Sequence, residues 1–252
     1  MKNTELSDTL DTLLNSYNSQ AQFGTTTSAR DIVLNEYEKS VILTQAQDAI
    51  IKSYFERNNP QGKGFDDSER RQVDFSSLIK TATLTKEVSQ ASIFDERGVI
   101  YKLPTKTIGT DLIPEVLFVL NEKITVEDKD FVVVPLNYKE YDREMSKSYA
   151  QPLKKQMWRL FQNTTTGFDI YSELIPNSNL EGKPMIYKIR YVRRPNPIVL
   201  TTLPNDLTID GVSVETQCEL NPMIHMDIVN KALEIAISTR GGYSQPKQQQ
   251  EQ

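Results

Sequence analysis

The stretch MIYKIRYVRRPNPIVL, residues 185–200, joins a strand-like half to a half that carries two arginines and two prolines. In the first half, the largely apolar residues Tyr187, Ile189 and Tyr191 alternate with basic residues. An apolar face that repeats every two residues predicts an antiparallel strand with one buried and one solvated side. The sequence therefore predicts a half-buried strand here, and further β-rich segments precede it along the chain.

The second half of the stretch predicts a rigid corner between two strands. Pro195 has no N–H group and disfavours a helical Arg194, and Pro197 repeats the restriction two residues later. Arg193 and Arg194 are expected at this corner, where they can face outward. A guanidinium group forms paired hydrogen bonds with carboxylates and with phosphates, so an acidic protein neighbour and a DNA backbone both remain open as partners.

The segment around QMWRLFQ, residues 156–162, holds further candidates for an interface. A solvated face, a protein contact and a DNA contact would each explain the basic residues in and before it, which are Lys147, Lys154, Lys155 and Arg159. Trp158 is the sole tryptophan of the chain. Because tryptophan buries a large area, a core anchor is the favoured interpretation of Trp158, and an interface hot spot is the alternative.

Two helices are predicted at the N-terminus. Residues 4–20 carry a leucine stripe with helical spacing. A second helix is predicted to begin at Ser28, where Asp31 completes a pattern like a capping box, and to end before the polar loop at 57–72. At ~1.5 Å per residue it would be about 40 Å long. Its apolar stripe requires a partner helix or a neighbouring subunit.

The C-terminal helix has clear start and stop signals. Asn221 is a suitable N-cap, Pro222 fits the first helical position, and Gly241 with Gly242 ends the helix. Its apolar stripe is expected to pack on the two N-terminal helices, since all three stripes need burial. Residues 243–252 are polar and glutamine-rich, so they are expected to be disordered alone and to become ordered only on a partner.

The middle of the chain reads as short strands. Strand-like runs lie at 115–121, 130–137, 156–162, 167–175, 185–194 and 196–203, and Asn137 is expected to cap a short helix over 138–147. The run VDFSSLIKTATL, residues 73–84, is ambiguous and favours a helix.

The expected fold class is α+β, in which the N-terminal and C-terminal helices form a helical layer and the middle domain is an antiparallel β-rich domain. The expected divisions are 1–60 (N-terminal helical segment), 61–89 (polar loop with a short helix or strand), 90–218 (β-rich middle domain), 219–241 (C-terminal helix) and 242–252 (flexible tail).

Composition excludes several classes of protein. The 252 residues are 38% hydrophobic and 25% charged, with a net charge of −5, which argues against a protein that coats DNA through a basic face. Passive passage of DNA along an acidic wall remains open. Cys218 is the only cysteine, so no disulfide within the chain and no cysteine-based zinc site is expected. The first twenty residues do not resemble a signal peptide, and no run of ~18 apolar residues predicts a membrane span.

Catalytic constellations are weak, and no catalytic residue, metal site or cofactor is predicted. His225 is the only histidine, and Cys218 and Glu219 are its nearest reactive neighbours in sequence, so a structural role on a helix is favoured. Asp169 followed by Glu181-Gly-Lys183 matches the skeleton of a magnesium-dependent nuclease, but the second part lies in a turn-rich stretch. Solvated loops explain the acidic pairs and clusters at 66–67 and 127–130. No phosphate-binding loop is present.

Three segments resemble structural proteins of crAss-like bacteriophages: residues 132–162, 187–200 and 208–236. The last is also similar to the C-terminal signature of head-to-tail connectors of short-tailed phages, the tail tubular protein A type. The positions that carry this signature are Cys218, Glu219, Leu220, Pro222, His225, Ile228 and Val229, with Asn221 inserted before the proline. The resemblance covers about the last half of the chain.

The resemblance implies a non-enzymatic structural virion protein, made in the host cytoplasm, at the portal vertex. The family expectation is an adaptor ring, usually a dodecamer, that docks on the portal protein and links it to tail and other ring proteins. It would line the conduit of the genomic double-stranded DNA and contact no membrane. Expected ring-interface residues are Arg193, Arg194, Trp158, Lys154 and Lys155, and the tail would contact the portal through Tyr243, Pro246 and Lys247. The alternatives are a nuclease or packaging enzyme, a capsid accessory protein and an ejected cargo protein.

Overall fold

The structure is a computed structural model that describes residues 1–24, 32–55, 73–87, 92, 95–108, 111–147, 151–163, 170–204 and 206–241. The chain divides into two compact units. The first, called the helical unit below, comprises Met1–Ser77 and Pro195–Gln252. The second, the barrel unit, is the continuous segment Leu78–Arg194.

Four α-helices lie within the described residues: α1 (Asn3–Gly24), α2 (Glu36–Phe55), α3 (Tyr138–Met145) and α4 (His225–Gly241). Single 3-10 turns occur at Ser76–Leu78, Ser178–Leu180 and Pro222–Ile224. Asn221 caps the last turn with its side chain, which accepts a hydrogen bond from the Met223 N–H, and Pro222 occupies the first turn as expected. None of the helices in the described part of the chain is long and apolar enough to cross a lipid bilayer.

Helix α2 begins later than the sequence predicts. The proposed cap at Ser28 and Asp31 lies outside the described residues, and residues 32–35 are not helical. The cap is formed instead by Asn35 and Glu38. The Asn35 side chain accepts from the Glu38 N–H at 2.8 Å, and the Glu38 carboxylate accepts from the Asn35 N–H at 2.9 Å. This capping box satisfies two backbone N–H donors at the start of the helix, so it favours a start at Glu36 over the predicted start at Ser28.

The apolar helix stripes are buried inside the helical unit. Helix α4 packs on both α1 and α2. Leu10 of α1, Leu43 of α2 and Ala232 of α4 each expose 0% of their area. The stripe of α2 was expected to need either a helix or a neighbouring subunit, and a helix of the same chain provides the cover. The stripe is therefore buried within one chain and does not itself require a neighbouring subunit.

Nine strands lie within the described residues of the barrel unit. They are β1 (Ile79–Lys86), β2 (Val99–Lys102), β3 (Thr105–Ile108), β4 (Asp111–Pro114), β5 (Val116–Val126), β6 (Lys129–Pro135), β7 (Gln156–Asn163), β8 (Ile170–Ile175) and β9 (Met185–Arg193). Seven of them close into a barrel in the order β1-β2-β8-β7-β6-β5-β9, while β3 and β4 form a separate two-stranded hairpin.

The predicted fold class was wrong, because the structure has a mostly β domain with a closed seven-stranded barrel, together with four helices, rather than a helical layer with an open antiparallel middle domain. Strands β6 and β7 pair in parallel, Val132 with Gln156 through Pro135 with Arg159. A parallel pair needs a crossover connection, and α3 lies between these two strands in sequence. The predicted order of strand, short helix and strand at 130–162 is the sequence feature that indicates this parallel pairing. Apolar alternation with a period of two, by contrast, does not reveal that the barrel closes.

Two segments differ from the predicted strands and helices. Residues 196–203 were predicted as a strand but form only an isolated bridge, between Val199 and Thr216. The prediction for residues 73–84 was wrong in its second half, since only the first residues are helical and Ile79 begins β1. Threonine recurs at every second position, at Thr81, Thr83 and Thr85, and this alternation indicates a strand rather than a helix.

Strand β9 pairs with β1 on one side and β5 on the other, which makes it central to the barrel. Its predicted buried face is confirmed: Tyr187, Ile189 and Tyr191 expose 0%, 1% and 3% of their area. The Tyr187 ring meets the Tyr101 ring edge-on, with centroids 5.2 Å apart. These side chains belong to the main apolar cluster of the barrel unit.

Candidate inter-subunit surfaces

Strand β9 runs from one end of the barrel to the other. The basic residues that the sequence analysis proposed as interface residues lie at these two ends, some at each. Arg193 lies opposite Val116 at one end, whereas Met185 lies opposite Val126 at the other. Eight residue steps at ~3.3 Å per residue separate the two ends by about 26 Å along the strand. Residues at these ends therefore belong to two surfaces, which we call the arginine end and the lysine end.

At the arginine end, the backbone is fixed by Glu115. The Arg194 N–H donates to the Glu115 carbonyl at 2.8 Å. The Glu115 carboxylate accepts from Lys80 Nζ at 2.8 Å and from the Tyr191 hydroxyl at 3.3 Å. Burial, reinforced by this carboxylate, raises the pKa of Tyr191 to about 12, so the phenol stays a donor. Arg193 and Arg194 are half-buried on this fixed backbone.

At the lysine end, lysines line a groove of about 670 Å³ beside the turn between β5 and β6. Glu127 and Asp128 form that turn with φ of 48° and 61°. The lysines of the groove are Lys129, Lys154, Lys155 and Lys183. Lys183 pairs with Glu127 at 3.1 Å, and the other three form no ion pair with any described residue. Glu127 and Asp130 also line the groove, so the four lysines leave it with an excess of positive charge that suits an acidic surface or a phosphate.

Trp158 lies on the outer side of β7, beneath α3. It exposes 6% of its area and packs with Tyr141, Leu160 and Ile175. The Tyr141 ring meets it edge-on at 6.2 Å between centroids. Little of the indole is left exposed for a partner, and an interface role for Trp158 stays a prediction.

A buried polar network inside the barrel was not foreseen from the sequence. Arg159 Nε lies 3.1 Å from a carboxylate oxygen of Glu122, and each of these side chains is only 9% exposed. The Tyr187 hydroxyl also donates to Glu122, and the Ser172 hydroxyl lies 3.2 Å from that of Tyr187. Burial, and then the Glu122 charge, raises the pKa of Tyr187 well above its usual value. Arg159 was grouped with surface lysines because alternation within QMWRLFQ does not say which face is inside.

The candidate catalytic residues have separate partners. His225 is 3% exposed; its Nδ1 accepts from the Met1 amino group at 2.9 Å, and its Nε2 donates to the Leu220 carbonyl at 3.0 Å. Burial lowers the pKa of His225, which keeps the ring neutral. Burial also raises the pKa of the Cys218 thiol to about 11, and this thiol faces Gln47. Glu219 instead accepts from the Asn196 side chain at 2.7 Å.

The nuclease skeleton is not assembled in the described residues. Asp169 lies outside them, Glu181 is exposed at the end of a 3-10 turn, and Lys183 is engaged by Glu127. Within the described ranges, no group of three or more His, Cys, Asp and Glu residues is placed to hold a metal ion. Asp66 and Asp67 and the predicted portal-contacting residues Tyr243, Pro246 and Lys247 also lie outside the described residues.

Comparison with known proteins gives consistent matches over nearly the whole chain. A family model described as phage tail ring protein 3/4 matches residues 1–248. The chain is 42% identical over 241 residues to Ring protein 4/5 of Bacteroides phage crAss001, covering 94% of this chain and 92% of that protein. It is 35% identical over 245 residues to Ring protein 3 of the same phage, covering 95% and 96%. The resemblance to crAss-like phage structural proteins is confirmed, and it extends into the N-terminal half.

Proposed function

The chain belongs to the phage tail ring protein 3/4 family, and on this premise we propose that it is a ring-forming adaptor subunit between the portal and the tail of a crAss-like phage. Its ring would contain about twelve copies, related by rotation through one repeated contact. It would dock on the portal protein, contact other ring or tail proteins and surround the path of the genomic DNA. The near full-length similarity to two ring proteins of one phage carries the proposal.

The distribution of charge supports a repeated contact of this kind. The barrel unit has basic side chains at both ends, Arg193 and Arg194 at one and Lys154 and Lys155 at the other, in a chain whose net charge is −5. A basic surface of one copy can meet an acidic surface of the next, which gives a heterologous contact. An acidic balance also suits a conduit wall that does not retain DNA, because phosphates are repelled.

The assembly itself is the first prediction. Native mass spectrometry of the purified chain, alone and mixed with the portal protein, is expected to show a closed ring and a stoichiometric ring–portal complex. A variant lacking residues 243–252 is the matched control: it should form the ring and lose most portal binding, since Tyr243, Pro246 and Lys247 would be gone. A capsid accessory or ejected cargo protein would give no complex with the portal, and that result would refute the proposal.

A second prediction assigns the ring contact to one end of the barrel. Replacing Arg193 and Arg194 by serine is expected to leave the monomer folded and to weaken ring assembly about tenfold or more, as expected when charge-assisted hydrogen bonds are lost. The parallel double variant Lys154→Ser/Lys155→Ser tests the lysine end, and a clearly smaller loss of assembly than in the arginine variant would assign the main contact to the arginine end. Circular dichroism checks the fold, and mass photometry across a concentration series measures assembly. Unchanged assembly of the arginine variant, or an unfolded monomer, would contradict this assignment.

A further inference from the structure

The hairpin formed by β3 and β4 belongs to no larger sheet in the described part of the chain. It leaves the arginine end of the barrel between β2 and β5, and at its base the Glu115 N–H donates to the Pro104 carbonyl at 2.9 Å. An isolated two-stranded hairpin is marginally stable in water and gains stability from a third strand. Pairing with a further strand would therefore stabilise the hairpin.

The hydrogen-bond alternation identifies which edge of the hairpin is available. The hydrogen bond between Glu115 and Pro104 lies between the two strands of the hairpin. In the next pair, Thr105 with Pro114, the backbone N and C=O groups therefore point away from the partner strand. By the same alternation, the backbone groups of Thr107 and Leu112 also point outward. Pro114 has no N–H to offer, which blunts the β4 edge. On β3, Thr105 and Thr107 each present one N–H and one C=O.

A matching open edge exists on β1. Its residues 79–84 pair with β9 on one side, whereas β2 pairs with β1 only at Thr85 and Lys86. The Glu87 N–H donates to the Ile100 carbonyl, so odd-numbered residues of β1 point toward the β2 side. Thr81 and Thr83 therefore direct their backbone groups to a side where no described strand pairs with them, and both residues are exposed.

The other open edge of the barrel is less suitable. Residues 116–123 of β5 pair with β9, and β6 pairs with β5 only from Ile124 onward. However, the β5–β9 register shifts twice, between Val116 and Phe118 and between Val119 and Asn121. Such bulges interrupt the regular spacing of backbone donors and acceptors. The β1 edge has no register shift against β9, so it is the better acceptor.

We propose that β3 of one copy adds as an extra strand to the open edge of β1 in the next copy. The spacing matches, because Thr105 and Thr107 on the donor and Thr81 and Thr83 on the acceptor are each two residues apart. Threonine pairs across strands are favourable. Donor and acceptor are different segments, so the contact is heterologous and repeats around an axis. The contact rests on the proposed ring assembly and supplies its backbone connection.

A proline scan of the hairpin tests the contact. Thr107→Pro removes an outward N–H of β3 and leaves the hairpin's own hydrogen bonds intact, so the monomer should fold and the ring fraction should fall roughly tenfold or more. Leu112→Pro removes the outward N–H directly across the hairpin, on β4, and should assemble like the unmodified chain. Circular dichroism verifies folding, and mass photometry measures the ring fraction.

Cysteine cross-linking provides the second measurement. In a Cys218→Ser background, Thr107→Cys combined with Thr81→Cys or Thr83→Cys is expected to give disulfide-linked ladders of two, three and more chains, since paired strands bring Cα atoms to about 5.5 Å. Links within one chain, or dimers alone, would overturn the proposed exchange. Rings that survive Thr107→Pro and give no cross-link would overturn this contact alone. A chain that never forms rings would count against the proposed function as well.

Discussion

Replacing Arg159 by methionine is expected to lower the free energy of unfolding of the barrel unit by about 3–5 kcal/mol. Arg159 and Glu122 are each 9% exposed and lie 3.1 Å apart inside the barrel. Methionine preserves much of the volume but removes the positive charge, so Glu122 is left buried without its ion partner. The Arg159 guanidinium also lies 3.8 Å from the centre of the Phe161 ring, and that contact is lost too.

Urea unfolding followed by Trp158 fluorescence measures this loss, since the only tryptophan lies next to Arg159 on β7. The control is the double variant Arg159→Met/Glu122→Gln, which removes both charges and keeps an acceptor for the Tyr187 hydroxyl. It should recover most of the lost stability, because a neutral pair carries no unpaired buried charge. A double variant as unstable as Arg159→Met would show that packing, rather than charge, explains the loss.

The buried pair of Arg159 and Glu122 is a feature that the sequence does not predict, whereas features that depend on neighbouring residues are predictable. The cap of α3 was predicted from Asn137, and the structure confirms it: the Asn137 side chain and Glu140 form a reciprocal capping box. The Asn221 cap, which the structure places on the 3-10 turn before α4, and the buried face of β9 were predicted for the same reason, since they depend on residues within a few positions of one another. Glu122 and Arg159 are 37 residues apart, and only the barrel brings them together.

Closure of the barrel depends on pairings that no local pattern contains. Strand β1 pairs with β9 across more than a hundred residues, Ile79 with Val192. The parallel pairing of β6 and β7 depends on the path of the chain through α3. The surfaces follow the same rule, because the sequence identified Lys154 and Arg193 as basic but could not place them at opposite ends of the barrel. The open edge of β1 becomes visible only once its pairing with β2 is seen to stop at Thr85.

Trp158→Ala is expected to destabilise the isolated subunit by about 3–5 kcal/mol, the usual effect of emptying an aromatic core site. Trp158 exposes 6% of its area and fills the space between β7 and α3. Its edge-on contact with Tyr141 would be lost as well, and α3 would lose part of its packing on the barrel. Thermal unfolding at a concentration where the chain is monomeric, followed by circular dichroism, measures the effect.

Trp158→Phe is the matched control, because phenylalanine retains an aromatic ring against Tyr141 and should lose clearly less stability than alanine. The two variants also separate the core role of Trp158 from an interface role. A core anchor changes the unfolding temperature of the monomer in the order Ala, Phe, Trp, and ring assembly at a temperature where each variant is folded stays the same. An interface hot spot gives the opposite result: the monomer unfolds at its usual temperature, and ring formation fails in proportion to the area removed.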